Sequence, residues 1–174
     1  MYASASSKLE VSGWLPYWRA STSTADATAH LQYLTEINPF GYIVQKNGTI
    51  MDAMGVADEP SKSLIAAAKA KKVRVIPTIM WGDTYAIHQI LSATASRIKL
   101  EDDIAELAVR EGFDGVDIDF EGKLAEDKNY FSTFLRGLYQ RMGKKWVMCT
   151  IEARTPVSSR YEGTPPKDAA VYAN

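Results

Sequence analysis

Glu111-Gly112-Phe113-Asp114-Gly115-Val116-Asp117-Ile118-Asp119-Phe120-Glu121-Gly122 is the stretch around which the chain is organised. From Val116 to Glu121 apolar and acidic residues alternate strictly. On a β-strand successive side chains point to opposite faces. Val116, Ile118 and Phe120 therefore share one face, and Asp117, Asp119 and Glu121 share the other. Carboxylates set so close repel when ionised, so at least one is expected to titrate high and share a proton. A proton held near neutral pH is what a general acid needs.

Two other readings fit the stretch in isolation. An antiparallel strand with a solvated acidic face shows the same alternation. Asp117, Asp119, Glu121 and Gly122 also imitate the start of an EF-hand loop. The twelfth position of that loop would be Lys128, where a bidentate glutamate is required, so calcium is set aside.

The flanking sequence decides between the remaining two. A strand over 11–15 is closed by Pro16-Tyr17-Trp18. A helical pattern over 24–37, with a cap at Ser23 or Thr24, is ended by Asn38-Pro39. A short strand over 40–44 leads to Asn47-Gly48, which reads as a tight hairpin turn. An alanine-rich helix over 61–72, capped by Ser61, precedes a buried strand over 73–80 and then Trp81-Gly82-Asp83. Helices over 85–92 and 97–111 come before the acidic strand. After it, residues 127–142 form an amphipathic helix with Tyr130, Phe131, Phe134, Leu135 and Leu138 on its apolar side. A strand over 146–151 and the opening of a helix at 166–174 complete the pattern.

This is βα repeated four times, then a fifth strand and the start of a fifth helix. Such alternation argues for parallel strands joined by right-handed crossovers, an α/β fold. Both faces of a parallel strand are usually apolar, so three acids on one face imply a functional cavity. The expected architecture is a (β/α)8 TIM barrel, with about the first five βα units present here. Catalytic groups of such barrels sit at the C-terminal strand ends, and Glu121 occupies one. Tyr17, Trp18 and Trp81 also follow C-terminal strand ends and are expected to ring the same mouth as substrate-binding aromatics.

Composition narrows the function. The chain of 174 residues suffices for one domain, and 46% hydrophobic with 24% charged residues is the balance of an ordinary globular protein. A formal net charge of -1 gives no reason to expect nucleic acid as a partner. No run is apolar enough to span a membrane. Cys149 is the only cysteine and lies in an apolar run, which excludes an internal disulfide and suits a buried small residue better than a nucleophile. His30 and His88 fall on expected helices without metal-ligand spacing and read as structural. No metal or organic cofactor is expected. Residues 1–8 read as a flexible N-terminal segment, and 9–174 as the N-terminal part of a catalytic barrel.

Asp114-Gly115-Val116-Asp117-Ile118-Asp119-Phe120-Glu121 resembles the DGxDxDxE signature of glycoside hydrolase family 18, the chitinase family, at every fixed position. Gly13-Trp14-Leu15-Pro16-Tyr17-Trp18 is similar to that family's first barrel strand. Ile37-Asn38-Pro39-Phe40 and Thr150-Ile151-Glu152-Ala153-Arg154 resemble the branch with bacterial spore-cortex and chitinase-like enzymes. At strand three the family's usual Ser-x-Gly-Gly is replaced by Thr78-Ile79-Met80-Trp81-Gly82-Asp83. The resemblance implies a retaining, substrate-assisted glycosidase acting on β-linked N-acetylglucosamine polymers, either chitin-like or peptidoglycan. It implies Glu121 as general acid, Asp119 as the group steadying the substrate's acetamido nucleophile, and Asp117 as the partner sharing a proton with Asp119. Asp114 is expected to fix the start of the strand by hydrogen bonding, and Gly115 to allow close packing. The family's strand-six tyrosine and strand-eight tryptophan have no counterpart in these residues, so the 174 residues alone are expected to be inactive. An extracellular or cell-envelope location is implied. The alternative is a chitinase-like carbohydrate-binding module without catalysis, against which retention of Glu121 weighs.

Overall fold

The computed structural model describes residues 9–151. The expected helix at 166–174 and the Glu152-Ala153-Arg154 stretch lie outside them. Strands β1 (Ser12–Pro16), β2 (Glu36–Val44), β3 (Ile50–Asp52), β4 (Arg74–Val75), β5 (Thr78–Trp81), β6 (Gly115–Phe120) and β7 (Trp146–Cys149) form one sheet. Helices α1 (Ala20–His30), α2 (Ser61–Ala70), α3 (Thr84–Ser92), α4 (Thr94–Arg110) and α5 (Lys128–Met142) connect them. The order across the sheet is β1-β2-β5-β6-β7, and every pairing along this path is parallel. That is the start of the expected barrel wall, an open run of strands among the described residues.

β6 lies between β5 and β7, parallel to both, and all six of its residues are buried. The solvated antiparallel strand and the calcium loop are therefore both excluded. Its apolar face packs on the helices: the Phe120 ring meets Phe134 at 5.3 Å and Phe131 at 6.0 Å. α5 buries Phe131, Phe134, Leu138 and Met142, spaced three and four apart, along one stripe. Tyr130, expected on that stripe, is 40% exposed. Gly143 at φ 62° ends the helix.

Three local expectations are corrected. The first helix stops at His30 instead of reaching Ile37, and Ile37-Asn38-Pro39 belong to β2. Asn38 is driven to extended backbone by the proline after it, and β2 is buried between β1 and the β4–β5 pair. Pro39 has no N–H for the carbonyl of Ile76, which would accept from that position of a parallel ladder. The Asn38 side-chain amide supplies the bond instead, Nδ2 to Ile76 O at 3.1 Å. The strand expected over 73–80 is correspondingly broken at Ile76-Pro77 into β4 and β5. Ser61 is the first helical residue of α2 rather than its cap, and its buried hydroxyl caps nothing. The Asn47-Gly48 turn is a three-residue loop with Gly48 at φ 83°, closed by Gly48 N–H to Gln45 O (2.9 Å) and Gln45 N–H to Thr49 O (2.8 Å).

Candidate active site

Strand alternation and register define the site. Thr78 stands level with Asp117, and Met80 with Asp119, on β5; Met148 on β7 is the other neighbour of Asp117. These residues share the acid face, as do Trp14, Asn38 and Phe40 further along the sheet. Asp117 and Asp119 are only 1% and 4% exposed, and they stand two positions apart on the strand, a rise of about 6–7 Å. Glu121 follows the last residue of β6, is exposed, and has its N–H bound to Trp81 O at 2.8 Å.

Asp117 is held from both sides. Thr78 Oγ1 donates to its Oδ2 at 3.0 Å. Thr150, just past β7, donates Oγ1 to both carboxylate oxygens at 3.0–3.1 Å. Burial nevertheless raises the Asp117 carboxyl above the ordinary carboxylate range; the two hydroxyls pull it down, and the charge of Glu36 beneath adds to the rise. Burial, rather than repulsion along the acidic row, is the leading cause. Glu36 is itself buried and accepts from Ser12, Asn38 and Arg74.

Asp114 and Gly115 anchor the strand. Asp114 Oδ2 accepts the Val75 N–H at 2.8 Å, and its own N–H bonds Val75 O at 3.0 Å. A Cβ on Gly115 would lie 2.4 Å from Trp146 O, so β7 approaches as closely as it does only because residue 115 lacks one.

The aromatic residues divide. Tyr17 stacks on Phe40 at 6.1 Å, and Trp18 stands edge-on to both, 65% exposed, at the C-terminal end of β1. Trp14, 55% exposed, joins this cluster through Phe40 at 6.0 Å. Trp81 does not face the mouth. It stands level with Phe120, on the face opposite the acids, and packs edge-on to that ring at 5.3 Å with 1% exposure. Its expected role in substrate stacking is withdrawn: the strand's alternation puts it in the sheet–helix layer. Sequence reading passed over Thr78, Thr150, Trp14 and Phe40. The parity of Thr78 within its strand was the available signal. Burial pushes the Cys149 thiol up to about 11, which leaves it un-ionised at neutral pH. Among the described residues no helix is long and apolar enough to cross a membrane, and no His, Cys, Asp and Glu cluster fits a metal ion.

The parallel sheet thus carries two buried aspartates on one strand and an exposed glutamate just past that strand's C-terminal end, the end at which barrel enzymes place their catalytic groups. The sequence profile of the glycosyl hydrolases family 18 matches residues 13–171, and the chain belongs to that family of glycosidases. A Bacillus subtilis (strain 168) protein provisionally designated a sporulation-specific glycosylase, YdhD, is 30% identical over 124 residues, 68% of this chain and 28% of its own. The glycosylase YvbX of the same strain, itself uncharacterized, is 27% identical over 82% of this chain and 42% of its own. Among solved structures, the spore cortex-lytic enzyme SleL of Bacillus megaterium QM B1551 superposes with a TM-score of 0.72 at 19% identity, covering 94% of this chain and 38% of SleL. A class V chitinase from Pseudomonas fluorescens Pf-5 gives 0.76 at 19% identity, with 95% and 49% covered. The chain thus spans less than half the length of each.

Proposed function

We propose that the chain is the N-terminal part of a catalytic barrel that hydrolyses β-linked N-acetylglucosamine polymers with retention of configuration. The observation that carries this is β6: two buried aspartates on one face, then an exposed glutamate just past the strand's C-terminal end. Glu121 gives its proton to the glycosidic oxygen as the C1–O bond breaks and the electron pair leaves with that oxygen. The substrate's acetamido oxygen attacks C1, so no second enzymic carboxylate is needed. Asp119 steadies the acetamido group as it gains positive charge, and Asp117 holds the shared proton, for which its raised carboxyl is suited. Water then attacks C1 as the bond from C1 to the acetamido oxygen breaks and its electron pair returns to the acetamido group, and Glu121 takes the proton that the water gives up. Tyr17 and Trp18 offer flat apolar faces to sugar rings. They stand at the C-terminal end of β1, three strands along the sheet from β6.

The substrate is chitin-like or peptidoglycan. SleL is a spore cortex-lytic enzyme and the Pseudomonas fluorescens protein a chitinase; at 19% identity each shares the fold with this chain, and the experiment decides between the polymers. The experiment is to give the full-length protein chitooligosaccharides, peptidoglycan and their de-N-acetylated counterparts. Cleavage confined to N-acetylated substrates, with retained anomeric configuration by NMR, is expected. Equal cleavage of de-N-acetylated substrates rules out the acetamido nucleophile.

A further inference from the structure

We infer that His88, acting with Thr84 on α3, is a positioning residue for Glu121. This rests on the reading of Glu121 as the general acid. Glu121 opens the loop that runs from the end of β6 at Phe120 to the start of α5 at Lys128. An exposed acid on a loop is useful only if the loop holds it within about half an ångström of the glycosidic oxygen's position. α3 grips this loop at two points. Thr84 Oγ1 donates to Gly122 O at 2.8 Å, directly after Glu121. His88 Nδ1 lies 2.7 Å from Oδ1 of Asp127, the ring nitrogen donating to the carboxylate at the loop's far end. Thr84 and His88 are four residues apart, so they sit one above the other on one helix face.

Asp127 transmits the grip inward. It is fully buried, and its other oxygen, Oδ2, accepts the Leu124 N–H at 3.2 Å, pinning the middle of the loop. The imidazole is further enclosed by Glu126 Oε1 at 3.7 Å and the edge of Tyr130 at 6.3 Å. A buried carboxylate that loses a donor is costly even where another remains, so without His88 the loop is expected to shift toward rehydrating Asp127 Oδ1. Gly122, at φ 67°, is the joint through which that movement reaches Glu121.

The test uses the full-length enzyme with His88→Leu, which keeps bulk and loses the donor, and His88→Asn, whose amide keeps a donor near the Nδ1 position. Activity on the N-acetylated substrate, melting temperature and hydrogen exchange of residues 121–127 are read together. His88→Leu is expected to lower kcat about 10-fold or more with KM little changed, and to lose amide protection in the loop. His88→Asn is expected to restore most of both. Parental kcat in His88→Leu overturns the inference, as does equal loss in the leucine and asparagine variants. An inactive parent protein overturns the Glu121 reading itself; loop protection then still reports separately on the clamp.

Discussion

Gly115→Ala tests how far the acid strand depends on its closeness to β7. The added Cβ would sit 2.4 Å from Trp146 O, 2.5 Å from Trp146 Cβ and 2.9 Å from Trp146 C. Carbon–oxygen contacts settle near 3.3–3.6 Å, so β6 and β7 must part by about 1 Å. The obstruction is backbone, held in register by Gly115 opposite Trp146 and by Trp146 N–H to Asp114 O at 2.9 Å, so no side-chain rotation relieves it. Overpacking costs about 1–3 kcal/mol, and a rigid obstacle places this change at the upper end, about 3 kcal/mol. For a domain of 150–250 residues that is a fall of about 6–12 °C in Tm. The displacement also reaches the site. Thr150 follows the end of β7 and bonds Asp117 at 3.0 Å, and an added 1 Å takes that contact out of hydrogen-bond range. Asp117 then loses a donor that pulls its carboxyl down, and its titration moves further up. Thermal melts and pH–rate profiles of parent and variant read both effects. A variant melting within about 1 °C of the parent would refute the close-packing argument.

Other expectations follow from the same geometry. Asp117 titrates high in the folded protein, so between the unfolded value near 4 and that raised value the folded state holds the extra proton and stability falls as pH rises. Asp117→Asn should flatten that fall and raise stability at neutral pH while lowering activity; denaturant titrations across pH check it, and an unchanged slope contradicts it. Phe134→Ala empties a fully buried position between Phe120 and Phe131 and should cost about 3–5 kcal/mol, measured by chemical denaturation. Gly122→Ala strains a φ of 67° by about 1 kcal/mol and sets a Cβ 2.9 Å from Thr84 Oγ1. Its kcat should fall more than its stability; parental kcat would show that the loop tolerates the change.

The fold was legible where periodicity was strong. The stripe of α5 reflects one buried face, and the alternation of β6 an apolar face against the helices and an acidic face that is buried as well; both elements lie close to where the pattern puts them. The first helix was overextended because Leu31, Leu34 and Ile37 continue a helical spacing, whereas Ile37 is claimed by pairing with β1 and β4. Long-range pairing of that kind leaves no local mark. Trp81 was misplaced because its position after an expected strand suggested the mouth, whereas β5 extends through it and alternation turns it away from the acids. Thr150 escaped notice because its value depends on standing across the sheet from a residue 33 positions earlier. The Asn38 amide replacing the missing N–H of Pro39 is likewise visible only once β2 and β4–β5 are side by side.

The most direct test of the central claim is Glu121→Gln in the full-length protein, assayed for hydrolysis of N-acetylglucosamine polymers and for binding of the same sugars. The amide keeps the shape of the side chain and cannot give up a proton. Turnover should fall by about 100-fold or more with sugar binding largely intact. Turnover equal to the parent's would remove Glu121 as the acid and, with it, the mechanism built on β6.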